Sequence, residues 1–164
     1  MTGLFDRLFE ALMTAAERAD SLFGRRRSRT GLLVLLALLA ALLLIYALVP
    51  GPGVPMTPCP PDNITGIGLS PSLWWVGGGA RTPPLSKVGL DPNSEISYQV
   101  LLGAAGEEMQ AVGTVRGGGG GSENLFVNTT APLAPGTVYR WQVVAENAIG
   151  KRAEGDVWTF STRS

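Results

Sequence analysis

From Arg25 to Val49 the chain reads RRRSRTGLLVLLALLAALLLIYALV, four arginines within five positions followed by an uncharged apolar stretch. No charge occurs over the 19 residues from Gly31 to Val49, which as a helix at 1.5 Å per residue extend about 28 Å. That length nearly matches a hydrocarbon core about 30 Å thick. No water there can pair backbone N–H and C=O groups, so a helix is the expected conformation. The pattern predicts a transmembrane helix over residues 31–49, preceded by a basic flank at 25–30 and divided from everything after it by Pro50.

The flanks orient the span. Arg25, Arg26, Arg27 and Arg29 crowd its N-terminal end, and the next basic residue on the other side is Arg81. The positive-inside rule places residues 1–30 in the cytoplasm and residues 50–164 in the periplasm or outside the cell, with the Tyr46 ring at the outer boundary. A cleaved signal peptide shares the basic flank and the apolar core. The long apolar run, the 24 residues ahead of the arginines and the lack of a small-x-small site in ALVPGPG favour an uncleaved anchor.

Charge and composition narrow the chemistry. Thirteen basic and 13 acidic residues cancel. Six arginines and four acids lie in residues 1–30, leaving seven basic and nine acidic residues beyond the span. Neither part has the positive field of a nucleic-acid binder. Histidine is absent, which removes the commonest general base, metal ligand and haem ligand. Cys59 is the single cysteine, so an intrachain disulfide and a thiolate zinc site are both excluded. No metal and no cofactor is expected. Scarce lysine with abundant Arg, Ala and Gly resembles the usage of GC-rich bacterial genomes.

Ahead of the span, residues 3–23 (GLFDRLFEALMTAAERADSLF) carry apolar side chains at helical spacing. A cytoplasmic amphipathic helix is expected within residues 1–24, its apolar half holding Phe5, Leu8, Phe9, Leu12 and Phe23. Its polar half mixes signs, which weakens attraction to anionic lipid. Those five residues are therefore candidate contacts to a protein partner, with the bilayer interface as the other possible bed. Within the span, Ala37 and Ala41 form a small-xxx-small pair suited to close helix packing.

Beyond the span, prolines at 50, 52, 55, 58, 60 and 61 predict a stiff, extended linker over residues 50–62 without a ladder of hydrogen bonds. Cys59 lies within it, free, modified or cross-linked. From about residue 63 short alternating segments broken by Gly and Pro predict strands near 64–69, 72–77, 95–102, 109–115, 124–129, 137–146 and 156–162. The clearest is TVYRWQVVAEN, in which Tyr139, Trp141, Val143 and Ala145 share one face. Seven short strands in about 100 residues predict an antiparallel sandwich.

LAPGTVYRWQVVAENAIG followed by VWTFST resembles the last two strands of a fibronectin type III domain. The run from Leu133 through Pro135, Gly136 and Thr137 to Tyr139 resembles that family's tyrosine corner. Leu73 and Trp75 resemble the early strand bearing the core tryptophan, and Ser97 to Val100 the third strand. The resemblance covers about residues 63–164. It implies an all-β, immunoglobulin-like sandwich whose core includes Trp75, Tyr98, Tyr139, Trp141, Trp158 and Phe160. Two departures stand out: 22 residues separate Trp75 from Tyr98, and Gly117 to Gly121 are consecutive glycines expected to form a flexible loop.

No catalytic constellation emerges. Glu107 and Glu108 are adjacent acids in an expected turn, and the glycine run lacks the following Lys and strand–helix context of a phosphate cradle. Asn63-Ile64-Thr65 and Asn128-Thr129-Thr130 match the glycosylation acceptor pattern, which matters in a eukaryotic secretory route. Alternation leaves Trp74 as the tryptophan expected at the surface, a candidate partner contact. The expected function is a non-enzymatic, single-span structural subunit in contact with membrane lipid and with subunits of a larger membrane complex, bacterial respiratory or photosynthetic complexes being the candidate hosts. The alternative is a membrane-anchored surface module that recognises a glycan or a protein.

Overall fold

The computed structural model describes residues 10, 14, 28–78, 89, 91–118 and 123–164, and the chain divides at Pro50 into two units. Helix α1 spans Ser28–Leu48. It starts inside the segment expected as a basic flank, and its last turn closes through the Val49 N–H on the Ile45 carbonyl at 3.0 Å. Pro50 follows, with no N–H to continue the ladder. Its stretch from Gly31 to Leu48 is long and apolar enough to cross a membrane, and protein covers little of it, Leu35 and Leu42 being half-buried. A helix apolar on every side requires an apolar surrounding.

Among the described residues, the unit Gly51–Ser164 has nine strands: β1 Gly53–Cys59, β2 Ile64–Ile67, β3 Ser72–Gly78, β4 Glu95–Ala104, β5 Gln110–Gly118, β6 Glu123–Asn128, β7 Val138–Asn147, β8 Arg152–Glu154 and β9 Trp158–Thr162. They form two sheets. One has the order β1-β3-β6; the other runs β2-β9-β7-β4-β5, with β8 also paired to β7. All pairings are antiparallel except that of β2 with β9.

Alternation along the strands places the core between the sheets. Leu73 and Trp75 on β3 and Leu125 on β6 face Ile96, Tyr98, Val100 and Leu102 on β4, Trp141, Val143 and Ala145 on β7, and Trp158 and Phe160 on β9. The Trp75 and Tyr98 rings meet across the sheets with centroids 5.9 Å apart. Trp141 and Trp158, paired in register, lie 4.7 Å apart. The indole N–H groups of Trp75 and Trp141 are buried without a hydrogen-bond partner among the described residues, a cost of about 1–3 kcal/mol each. Burying about 150–250 Å² of aromatic surface at about 25 cal/mol/Å² returns roughly 4–6 kcal/mol. Packing therefore outweighs the unmatched donor.

The bend into β7 is closed by side chains. The Ala134 N–H donates to the Tyr139 hydroxyl at 2.9 Å. The Thr162 hydroxyl donates to the Ala134 carbonyl at 2.7 Å and accepts the Thr137 N–H at 2.9 Å. Tyr139 in turn stacks on Phe160, with centroids 5.8 Å apart.

The proline-rich stretch differs from expectation. Residues 53–59 are not a free spacer but strand β1, registered on β3 at Gly53↔Gly78, Met56↔Val76 and Cys59↔Trp74. A strand at the edge of a sheet needs donors on one side only, so Pro55 and Pro58 are tolerated there. Shifts of register fall between each pair, and Thr57 turns through φ 57°. Pro55 is among the fully buried side chains, so the ring packs where its nitrogen cannot pair. The folded unit therefore begins at Gly51 and not at residue 63. Strand β8 is likewise additional. At the glycine run, Gly117 and Gly118 are strand, opposite Ile96 and Glu95. A Cβ on Gly117 would meet Tyr98 at 3.1 Å.

Gly53 and Gly78 touch backbone to backbone: a Cβ on Gly53 would lie 2.7 Å from the Gly78 carbonyl carbon. Gly78→Val is expected to force β1 off β3 and cost about 1–3 kcal/mol, the range for overpacking, measured by urea unfolding of the full chain in detergent. At the other end of β1, Asp62 Oδ1 accepts the Thr159 N–H at 2.7 Å and lies 3.0 Å from its hydroxyl. The Thr159 N–H, then its hydroxyl, holds the Asp62 carboxyl below its ordinary range. A lowered folded value means the unfolded chain binds the proton more tightly, so this contribution is complete above about pH 4 and lost as pH falls further. Thermal unfolding followed downward from about pH 5 should steepen below that point in the wild type and less so in Asp62→Asn.

Candidate interaction surface

The two outer faces of the β unit differ in chemistry. On the six-stranded sheet, the outward positions of β4, β5, β7 and β8 include Glu95, Arg116, Arg140, Glu146 and Arg152. Arg116 pairs with Glu95 at 3.1 Å and Arg152 with Glu146 at 2.6 Å, all exposed but Glu146, which is half-buried. Such pairs contribute about 0–1 kcal/mol; their importance is that they keep this face wet.

Among the described residues, the outer face of the three-stranded sheet carries no charge. Its positions are Val54, Met56 and Cys59 on β1, Ser72, Trp74 and Val76 on β3, and Asn124, Phe126 and Asn128 on β6. Trp74 lies directly opposite Phe126 on one side and Cys59 on the other, so one cross-strand row runs Cys59–Trp74–Phe126. The Trp74 and Phe126 rings stack with centroids 5.4 Å apart and planes inclined by 26°. Val54, Met56, Trp74 and Phe126 remain 50, 54, 45 and 50% exposed. Polar groups border the aromatic pair, the Ser72 hydroxyl donating to Asn128 Oδ1 at 2.5 Å.

Two polar clusters elsewhere serve the backbone. Asn147, buried at the end of β7, accepts the Lys151 N–H at 2.9 Å and the Ile149 N–H at 3.2 Å. It donates to Asn93 Oδ1 at 2.8 Å, and the Asn93 N–H is taken by Asp91 Oδ1 at 3.0 Å. These bonds tie the β7–β8 turn to the loop before β4. The Asp62, Asn63 and Thr159 group ties β2 to β9 in the same manner. Burial, then the charge of Glu123, raises the Tyr98 phenol above its ordinary value; that hydroxyl belongs to the core. Among the described residues no three His, Cys, Asp or Glu side chains gather into a metal-binding group.

Of the residues singled out from sequence, Trp74 stands on the uncharged face. Trp75, Tyr98, Trp141, Trp158 and Phe160 are buried in the core, and Tyr139 is packed against it. Ala37 and Ala41 are exposed on α1. Phe5, Leu8, Phe9, Leu12 and Phe23 lie outside the described residues. Within that amphipathic segment Glu10 and Thr14 are helical, and the Thr14 hydroxyl donates to the Glu10 carbonyl at 2.8 Å. Glu107 and Glu108 stand exposed in the connection from β4 to β5. Sequence reasoning missed Phe126, Met56 and Val54. Alternation in LFVN marks Phe126 as facing away from Leu125, but only register shows that it meets Trp74.

No protein-family model matches the chain, and no curated protein matches it.

The two neighbouring tryptophans separate surface from core. Trp75→Ala is expected to cost about 3–5 kcal/mol of unfolding free energy. Trp74→Ala should cost no more than the Phe126 ring contact, about 0.5–1.5 kcal/mol. Chemical unfolding of the two variants side by side measures the difference.

Proposed function

We propose that this protein is a non-enzymatic, single-span structural subunit of a larger membrane assembly. In this reading residues 1–30 are cytoplasmic, α1 crosses the bilayer, and a fibronectin type III-like sandwich stands in the periplasm or outside the cell. The observation that carries it is an apolar helix without a polar face, long enough to cross a membrane and joined to a folded β unit. The polar clusters support a non-enzymatic role, because their side chains hold turns and strand ends.

The sandwich assignment is supported by the strand order of the two sheets, with the N-terminal strand divided between them as β1 on β3 and β2 on β9. The Tyr139 hydroxyl bonded to backbone five residues upstream also supports it. Four arginines before the span support the orientation. Bacterial respiratory and photosynthetic complexes are the hosts proposed, on the GC-rich residue usage.

A second reading, a membrane-anchored module recognising a glycan or a protein, is favoured by one feature. The stacked Trp74 and Phe126 rings, bordered by Ser72, Asn124 and Asn128, offer a flat aromatic surface with hydrogen-bonding groups beside it. Purification of the full chain in mild detergent, followed by mass spectrometry, separates the readings. The structural role predicts membrane proteins in fixed stoichiometry. A lone, monodisperse chain that retains glycans on an array overturns it in favour of the second.

A further inference from the structure

The uncharged face of the three-stranded sheet has an occupant whose chemistry can be stated. Nine outward positions across β1, β3 and β6 hold no acid and no base, while the outer face of the other sheet holds Glu154 in addition to the five charges named above. Trp74, Phe126, Met56 and Val54 form its centre, with Ser72, Asn124 and Asn128 along β3 and β6. An apolar centre beside an indole and amides suits the boundary between headgroups and acyl chains, where amphipathic rings are most at home.

Chain connectivity points to the same medium. Val49 to Pro52 are the only residues between the end of α1 at Leu48 and the start of β1 at Gly53. At about 3.4 Å per residue these four residues reach about 14 Å when fully extended. The strand attached to this short tether is the one that bears Val54 and Met56. A tether of that length raises the effective concentration of a surface for its target without any added contact.

We propose that the outer face of the three-stranded sheet, centred on Trp74 and Phe126, rests on the interfacial layer of the bilayer. The proposal depends on α1 being a membrane span. Its lipid is zwitterionic: with no Lys or Arg among the described residues of the face, anionic headgroups gain nothing there, and added salt leaves the contact unchanged. The charged face of the six-stranded sheet is left to water and to partner subunits.

Cys59, the single cysteine, stands in register with Trp74 on this face and serves as a probe. The full chain, spin-labelled at Cys59, is placed one copy per phosphatidylcholine nanodisc. Collisions of the label with oxygen, which concentrates in lipid, are compared with collisions with a water-soluble nickel chelate. The comparison site is Gln99→Cys in a Cys59→Ser chain, on the outer face of β4. The expected result is oxygen dominating at position 59 and nickel at position 99, unchanged by salt.

Trp74→Glu with Phe126→Glu should bring nickel access to position 59 while the unfolding midpoint moves little. Equal nickel access at positions 59 and 99 in the unsubstituted face overturns the proposal. Protection that appears only with two copies per disc assigns the face to a second copy, and protection found only in native membranes assigns it to another protein; either overturns the lipid contact. A chain that fails to enter the discs at all defeats the membrane-span reading. A chain that enters with a water-exposed label defeats the lipid contact alone.

Discussion

Trp141 stands midway along β7 with its ring against Trp158 of β9, and β7 also pairs with β4 through nine registered positions. The inward side chains of β7 meet those of β4 and β9 in the core shared with β3 and β6. Burial of these rings overcomes the cost of two indole donors without partners among the described residues, so the stability of the unit is a matter of shape filling more than of polar matching. The corner that starts β7 and the Asn147 network that ends it fix both ends of the same strand. Once β7 is set, the alternation of β4 and β9 determines which residues are core and which are surface.

The surface follows from that decision. On the wider sheet the positions turned away from the core include two charged pairs. On the narrower sheet they are occupied by Trp74, Phe126, Met56 and Val54. Each of these is a neighbour in sequence of a core residue or a buried proline: Trp74 of Trp75, Phe126 of Leu125, Met56 of Pro55. The exposed face is thus the reverse side of the core strands, and its apolar character is independent of what the core requires.

Much of the β unit can be read from period-two alternation alone. TVYRWQVVAEN announces β7 because its large apolar residues fall on one side, and Trp75 is recognisable as core while Trp74 is not. β1 is not legible in the same way. Its prolines read as a helix stop and a spacer, and an edge strand with three registered pairs leaves no alternation to detect. β8, at three residues, is too short for a period. The site is half legible: Trp74 stands out, whereas its contact with Phe126 depends on the pairing of strands 50 residues apart, which no local pattern encodes. The helix, expected over residues 31–49 and found at Ser28–Leu48, is the plainest feature because it depends on composition over a length and not on pairing.

The glycine contact at Gly53 and Gly78 gives the start of β1 a mechanical meaning. The segment leaving α1 enters the β unit through a sparsely laddered edge strand, three registered pairs against nine between β4 and β7. Tension carried along the backbone from α1 loads β1 before any other strand. A backbone-to-backbone seat with no side chain between is short and stiff, and its pairing is interrupted at each proline. Register shifts divide the pairing of β1 with β3 into three separate contacts, so force on the start of the strand meets them one at a time, with the tryptophan core behind them.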